Sequence, residues 1–170
     1  TVSLSANPSS AVFGQTVTLT AVVSGHDSGV AAPTGEVQFF EGATLLGTAS
    51  LIDGTAAIPL NSLAPGDHTL KAVYTGDSNN GTAWATIVLT VQQAVTSTAV
   101  SASGKGPQVV LTATVAVVEP GAGVPTGSVQ FEDATTGQSL ASGALASGSA
   151  TATAPVAAGH VIVAVYSGDV

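Results

Sequence analysis

Few residues of this chain have types and spacing suited to chemistry. His26-Asp27-Ser28-Gly29 sets an imidazole, a carboxylate and a hydroxyl side by side and superficially resembles a serine-nucleophile loop. A serine nucleophile needs a separately positioned base and an oxyanion hole, and no such base is evident. No catalytic residue is therefore expected, and the chain is read as a non-enzyme. His68 and His160 have no second histidine or acid at metal-ligand spacing, which points to a structural role. Asp27, Asp53 and Asp77 form a weak calcium candidate, since Ca²⁺ takes six to eight oxygens. Short acids also favour turns and keep a charge-poor surface soluble, which is the preferred reading. No other cofactor is implied. Trp84 is the only tryptophan and, with Phe40, falls on the outward parity of its strand, where it suits ligand stacking or a subunit contact, unless a bulge near the strand start tucks it against the loop at 76–81. Asn80-Gly81-Thr82 is a glycosylation sequon. An isopeptide bond needs a buried lysine. Lys71 sits on an outward parity and Lys105 in a turn, so neither is expected to form one.

Composition narrows the elements that position these residues. The chain has 170 residues, 10 acids against 2 lysines, no arginine and a net charge of -8. Nucleic acid is excluded as a partner, because phosphate binding needs clustered cations. Hydrophobic residues make up 45%, enough to bury a core. No apolar run of 18 residues spans a membrane. Cysteine is absent, so disulfides and thiolate chemistry are impossible. Ser and Thr together number 40, and a surface of hydroxyls suits an extracellular or cell-surface location.

The chain repeats itself. Pro33-Thr34-Gly35-Glu36-Val37-Gln38-Phe39 returns 92 positions later as Pro125-Thr126-Gly127-Ser128-Val129-Gln130-Phe131. Val17–Val23 returns as Val109–Val115, and Ala72-Val73-Tyr74-Thr75-Gly76-Asp77 as Ala164-Val165-Tyr166-Ser167-Gly168-Asp169, at the same offset. A unit of this length is too long for a solenoid repeat and suits a small domain. Two domains follow, 1–92 and 93–170. Their junction, Gln92-Gln93-Ala94-Val95-Thr96-Ser97, lacks Gly and Pro and is expected to be extended and stiff.

Within the first copy, Val17, Leu19, Ala21 and Val23 alternate with their neighbours, as do Leu70, Ala72 and Tyr74, and Ile87, Leu89 and Val91. Alternation with β-branched enrichment predicts half-buried antiparallel strands. They lie near 2–6 with 10–13, then 16–24, 35–41, 44–51, 55–60, 68–75 and 82–91. Turn residues separate them at Glu41-Gly42, Asp53-Gly54, Pro65-Gly66-Asp67 and Gly76-Asp77. The fold class is all-β, two tandem Greek-key β-sandwiches.

The run Pro-Thr-Gly-x-Val-x-Phe at 33–39, Glu41-Gly42, Leu46-Gly47-Thr48-Ala49, and Leu-Ala-Pro-Gly-x-His-Thr-Leu-x-Ala-Val-Tyr-x-Gly-Asp at 63–77 resembles the bacterial immunoglobulin-like repeats of the group-3 type. The second copy departs at Asp133-Ala134 and at Pro155-Val156-Ala157-Ala158-Gly159. The resemblance implies two tandem immunoglobulin-like sandwiches from an extracellular prokaryotic protein, serving as spacers, adhesive modules or fibre blocks without catalytic residues. Carried through by the offset, the second copy reaches about residue 183, so it is expected to lack its last strand. A shortened piece, further repeats, or a strand from a neighbouring subunit all account for that. The partners implied are copies of this chain or neighbouring repeats, with polysaccharide as the alternative through Trp84.

Overall fold

The computed structural model describes residues 1–25, 31–61, 63–104, 106 and 108–169. These residues contain strands and turns and no helix. The chain divides into two compact units, Thr1–Gln93 and Ala94–Val170.

The described residues of the first unit form eight strands, β1 (Val2–Asn7), β2 (Ala11–Val12), β3 (Val17–Val23), β4 (Glu36–Glu41), β5 (Thr44–Ser50), β6 (Thr55–Leu60), β7 (Gly66–Tyr74) and β8 (Ala83–Gln92). They form a three-stranded sheet, β1-β3-β6, and a five-stranded sheet, β2-β8-β7-β4-β5. Pro8 has no N–H to continue the ladder of β1. After Asn7 the chain parts from β3 and reappears in the other sheet as β2, whose pairing with β8 is the only parallel one among the described residues. The alternation of the sequence becomes the two inner faces. Val17, Leu19, Ala21 and Val23 meet Val37, Phe39, Leu70, Ala72, Tyr74 and Leu89 in one buried cluster. A register shift between Phe39 and Phe40 adds a residue to β5, so Leu45 pairs with Phe40 on the outer face while Leu46 packs against the core. Such a bulge bends the strand without breaking the sheet.

The second unit has β9 (Thr96–Ser103), β10 (Val109–Val117), β11 (Ser128–Asp133), β12 (Gln138–Ala144), β13 (Ser149–Ala154) and β14 (Ile162–Tyr166). Its sheets run β13-β10-β9 and β12-β11-β14. Leu111, Ala113, Val115, Val129 and Phe131 form its buried centre. Among the described residues β14 pairs with β11 alone. Leu70, Ala72 and Tyr74 of β7 are fully buried, yet their counterparts Ile162, Ala164 and Tyr166 are half-buried. Thr98, Val100 and Ala102 lie opposite the buried Val115, Ala113 and Leu111 and are exposed. In the first unit, β8 lies against β7 and brings Leu89 and Val91 into the core.

Candidate functional site

Three sets of side chains stand out. In the first, Gly35 and Gly127 have left-handed φ values of 92° and 83°, which a glycine adopts without steric cost. A Cβ on Gly127 would lie 2.5 Å from the carbonyl oxygen of Gly168. The tight turn brings the preceding threonine to the end of the neighbouring strand, where an aspartate waits. Asp77 Oδ2 accepts from the Thr34 N–H at 2.8 Å and the Thr34 hydroxyl at 3.0 Å. Its Oδ1 accepts from the Asn79 and Asn80 N–H groups at 2.8 and 2.7 Å. The Asn80 amide donates to both oxygens at 3.0 and 3.1 Å. The Thr34 amide, then that of Asn79, holds the Asp77 carboxyl far below the usual carboxylate range. The second unit repeats the fastening. Asp169 accepts from the Thr126 N–H and hydroxyl and from the Tyr166 hydroxyl at 2.7 Å. The Thr126 hydroxyl leads the causes that lower Asp169, while burial and Asp169 push Tyr166 up to about 12.

This arrangement gives Asp77 a job other than metal binding, because its acceptor positions face donors from three residues. Asp53 lies in the hairpin turn after β5, with Asp53 and Gly54 at φ 50° and 75°, the left-handed pair that a two-residue hairpin loop requires. Asp27, the third calcium candidate, lies outside the described residues, as do His26, Ser28 and Gly29. Among the described residues no cluster of three or more His, Asp or Glu side chains is placed to hold a metal. The sequon residue Asn80 also donates to the Ala31 carbonyl at 3.3 Å, so a glycan on its Nδ2 disrupts the loop. Asp77→Ala is expected to lower the melting temperature more than Asp77→Asn, because the alanine leaves the three amides with no acceptor. Circular dichroism melts of the two variants check this order.

The second set pairs each repeated histidine with an acid. His68 Nδ1 lies 2.5 Å from Glu41 Oε1, and its Nε2 lies 2.7 Å from the Ala64 carbonyl oxygen. A neutral imidazole has one donor and one acceptor, so a ring facing two acceptors is best satisfied as imidazolium. The Ala64 carbonyl and then Glu41 raise the His68 pKa against the opposing effect of burial. His160 Nδ1 lies 2.6 Å from Asp133 Oδ2. That bond, more than the Thr135 amide, lowers Asp133 to about 2. The acid partners were not legible from short spacing, since each stands 27 residues before its histidine. The threonines stand 43 residues before their aspartates. Both separations recur in both copies, and that coincidence is the signal that identifies the pairs. These imidazoles fasten loops and face no hydroxyl nucleophile among the described residues.

The third set lies on the outer face of the five-stranded sheet. Trp84 is 63% exposed, and the Lys71 ammonium sits 5.0 Å from the centroid of its ring. Phe40 is outward and half-buried, opposite Lys71 and Leu45. Of the candidates for ligand stacking, Trp84 presents the open ring.

A family model described as bacterial Ig-like domain (group 3) matches residues 4–92. No curated protein sequence matches the chain. Among solved structures it is similar to the fibronectin(III)-like modules of Clostridium thermocellum CbhA, at 19% identity over 99% of this chain and 86% of that one, TM-score 0.42. It is also similar to β-glucuronidase 3 of Bacteroides uniformis, at 13% identity and TM-score 0.36, over 98% of this chain and 23% of that one. The FN1–FN3 domains of chicken CNTN1 align at 11% identity and TM-score 0.36, over 90% of this chain and 52% of theirs. No helix among the described residues is long and apolar enough to cross a membrane.

Proposed function

The chain belongs to the bacterial Ig-like domain family, group 3, and from that premise we propose that it is a non-catalytic structural repeat of an extracellular protein, a stalk or fibre segment that bears load along its length. The observation that carries this reading is the parallel pairing of β2 with β8. Ala11 lies opposite Val91 and Val12 opposite Gln92, and the Phe13 N–H donates to the Gln92 carbonyl at 2.8 Å. Tension between Thr1 and Gln93 pulls two parallel strands in opposite directions along their shared axis. Their hydrogen bonds are loaded together, whereas a hairpin pulled from its open end yields one bond at a time. The repeated Thr–Asp and His–acid pairs pin the connecting loops and serve the same end.

Force-extension measurements test the proposal. The first unit is expected to rupture in one event, at a force that Phe13→Pro reduces by removing the shared N–H. The Phe13 side chain is 40% exposed, so the thermal melt should move little. An unchanged rupture force in Phe13→Pro contradicts the load-bearing role of this pairing.

The second unit leaves room on β14 for one more strand with the alternation of β8, whether following residues or another chain supply it. The half-buried Ile162, Ala164 and Tyr166 and the exposed Val100 occupy the place that β8 covers in the first unit. An antiparallel strand with the alternation of β8, laid on the free edge of β14, buries them. A synthetic peptide of residues 82–92 is the probe. It should slow amide exchange in β14 and raise the melting temperature of the second unit. No protection of β14 at saturating peptide rules the edge out as an acceptor.

A further inference from the structure

We propose that the outer face of the five-stranded sheet in the first unit is a stacking platform for a neutral polysaccharide, with Trp84 as the ring on which a sugar lies. This reading is independent of the load-bearing role. Two rows of side chains cross the face. Trp84 lies opposite Val73, Val73 opposite Gln38, and Gln38 opposite Thr48. One pair of positions along, Thr86 lies opposite Lys71, Lys71 opposite Phe40, and Phe40 opposite Leu45. Neighbouring strands are about 4.8 Å apart, so each row extends roughly 14 Å.

Trp84 and Val88 are each 63% exposed on β8. Burying so much indole surface in water's place is favourable, and nothing in the core of the unit uses it. Lys71 fixes the indole from one side by a cation–π contact and holds ammonium donors beside it. Each row joins an apolar pair, Trp84 with Val73 or Phe40 with Leu45, to a polar pair, Gln38 with Thr48 or Lys71 with Thr86. That mixture matches a pyranose chain, whose C–H faces stack while its hydroxyl edges hydrogen-bond. It does not match the contiguous apolar centre of a protein interface.

Charge selects the class of polymer. The first unit carries six carboxylates and one lysine, so an acidic polysaccharide meets net repulsion. The face is also particular to this unit. Positions that the fold requires recur at the offset of 92, whereas Phe40 is replaced by Glu132 and Lys71 by Val163. Gln38 and Val73 recur as Gln130 and Val165, so the difference lies in the aromatic ring and the cation.

The test uses the intact chain. Retention is measured on cellulose, chitin, xylan and mannan as neutral polymers, with polygalacturonate as the acidic one. Because Trp84 is the sole tryptophan, its fluorescence during titration with cello- and chito-oligosaccharides reads contact directly. Binding to at least one neutral polymer is expected, weakened by about fivefold or more in Trp84→Ala, partly restored in Trp84→Phe, and reduced in Lys71→Met. Melting temperatures should stay near that of the parent, since these side chains point outward. If Trp84→Ala does not fold, Lys71→Met and the parent fluorescence titration decide. No retention on any of the four neutral polymers overturns the proposal. So does retention indifferent to Trp84, or polygalacturonate bound as tightly as the neutral polymers. Loss of self-association in Trp84→Ala, without loss of polysaccharide retention, assigns the face to a protein contact instead.

Discussion

Phe39→Ala should destabilise the first unit by about 3–5 kcal/mol, the usual cost of deleting a fully buried phenylalanine. Phe39 has no exposed surface and lies between Ala72 and Gly47 on its neighbouring strands. Gly47 opens that side of the core to Ile58, whose Cδ1 comes within 3.4 Å of where a Cβ on Gly47 would be. The small residues on both sides are already at minimum size, so the ring leaves a hole that its neighbours fill poorly. A domain of this size has about 5–15 kcal/mol in all. At about 4–8 °C per kcal/mol the melting temperature falls by about 12 °C or more. Trp84 lies in the same unit and reports the transition by fluorescence. A shift of less than about 5 °C contradicts the packing described.

Stability of the first unit should pass through a maximum in mildly acidic solution. His68 has a raised pKa in the folded state. The stabilisation from its imidazolium is fully present below its unfolded value of about 6.5 and is lost as pH rises through the folded value. Asp77 is shifted the other way. Its contribution is present above an unfolded value of about 3.9 and is lost as pH falls toward the folded value. Glu41 and Asp67 are the charged groups that face His68 and favour its proton. His68→Ala should remove the alkaline limb and cost about 1–2 kcal/mol near pH 6. That lies in the lower range for a charge-assisted bond, because the Glu41 side chain is 38% exposed. Urea titrations of both proteins between pH 4 and 9 measure it. An alkaline limb that persists unchanged in His68→Ala assigns the decline to other groups.

Much of the architecture is legible because the period of a strand is two. Val17, Leu19, Ala21 and Val23 are inward in the structure as their alternation requires, and the same parity places Trp84 outward. Alternation does not name a strand's neighbour. That β2 pairs with β8, and in parallel, depends on where the chain crosses between sheets after Asn7. The bulge at Phe39–Phe40 is likewise silent in the pattern, and it decides which of Leu45 and Leu46 reaches the core. Lys71 over Trp84 follows only from the register that sets Trp84 against Val73. His68 and Asp77 were visible as repeated residues, but their partners Glu41 and Thr34 are distant in the chain. Side-chain pairs of that kind become readable when two copies are compared at one offset.

The chain folds as two units, each held by its own core. Native-state hydrogen exchange on the parent and on Phe39→Ala shows whether the two cores open independently. The slowest amides should fall in two sets, one in Val17–Val23 and Gly66–Tyr74 and the other in Val109–Val117. Phe39→Ala should accelerate the first set and leave the second at its original rates. Acceleration of both sets by the same factor would mean a single cooperative core, and would contradict the account.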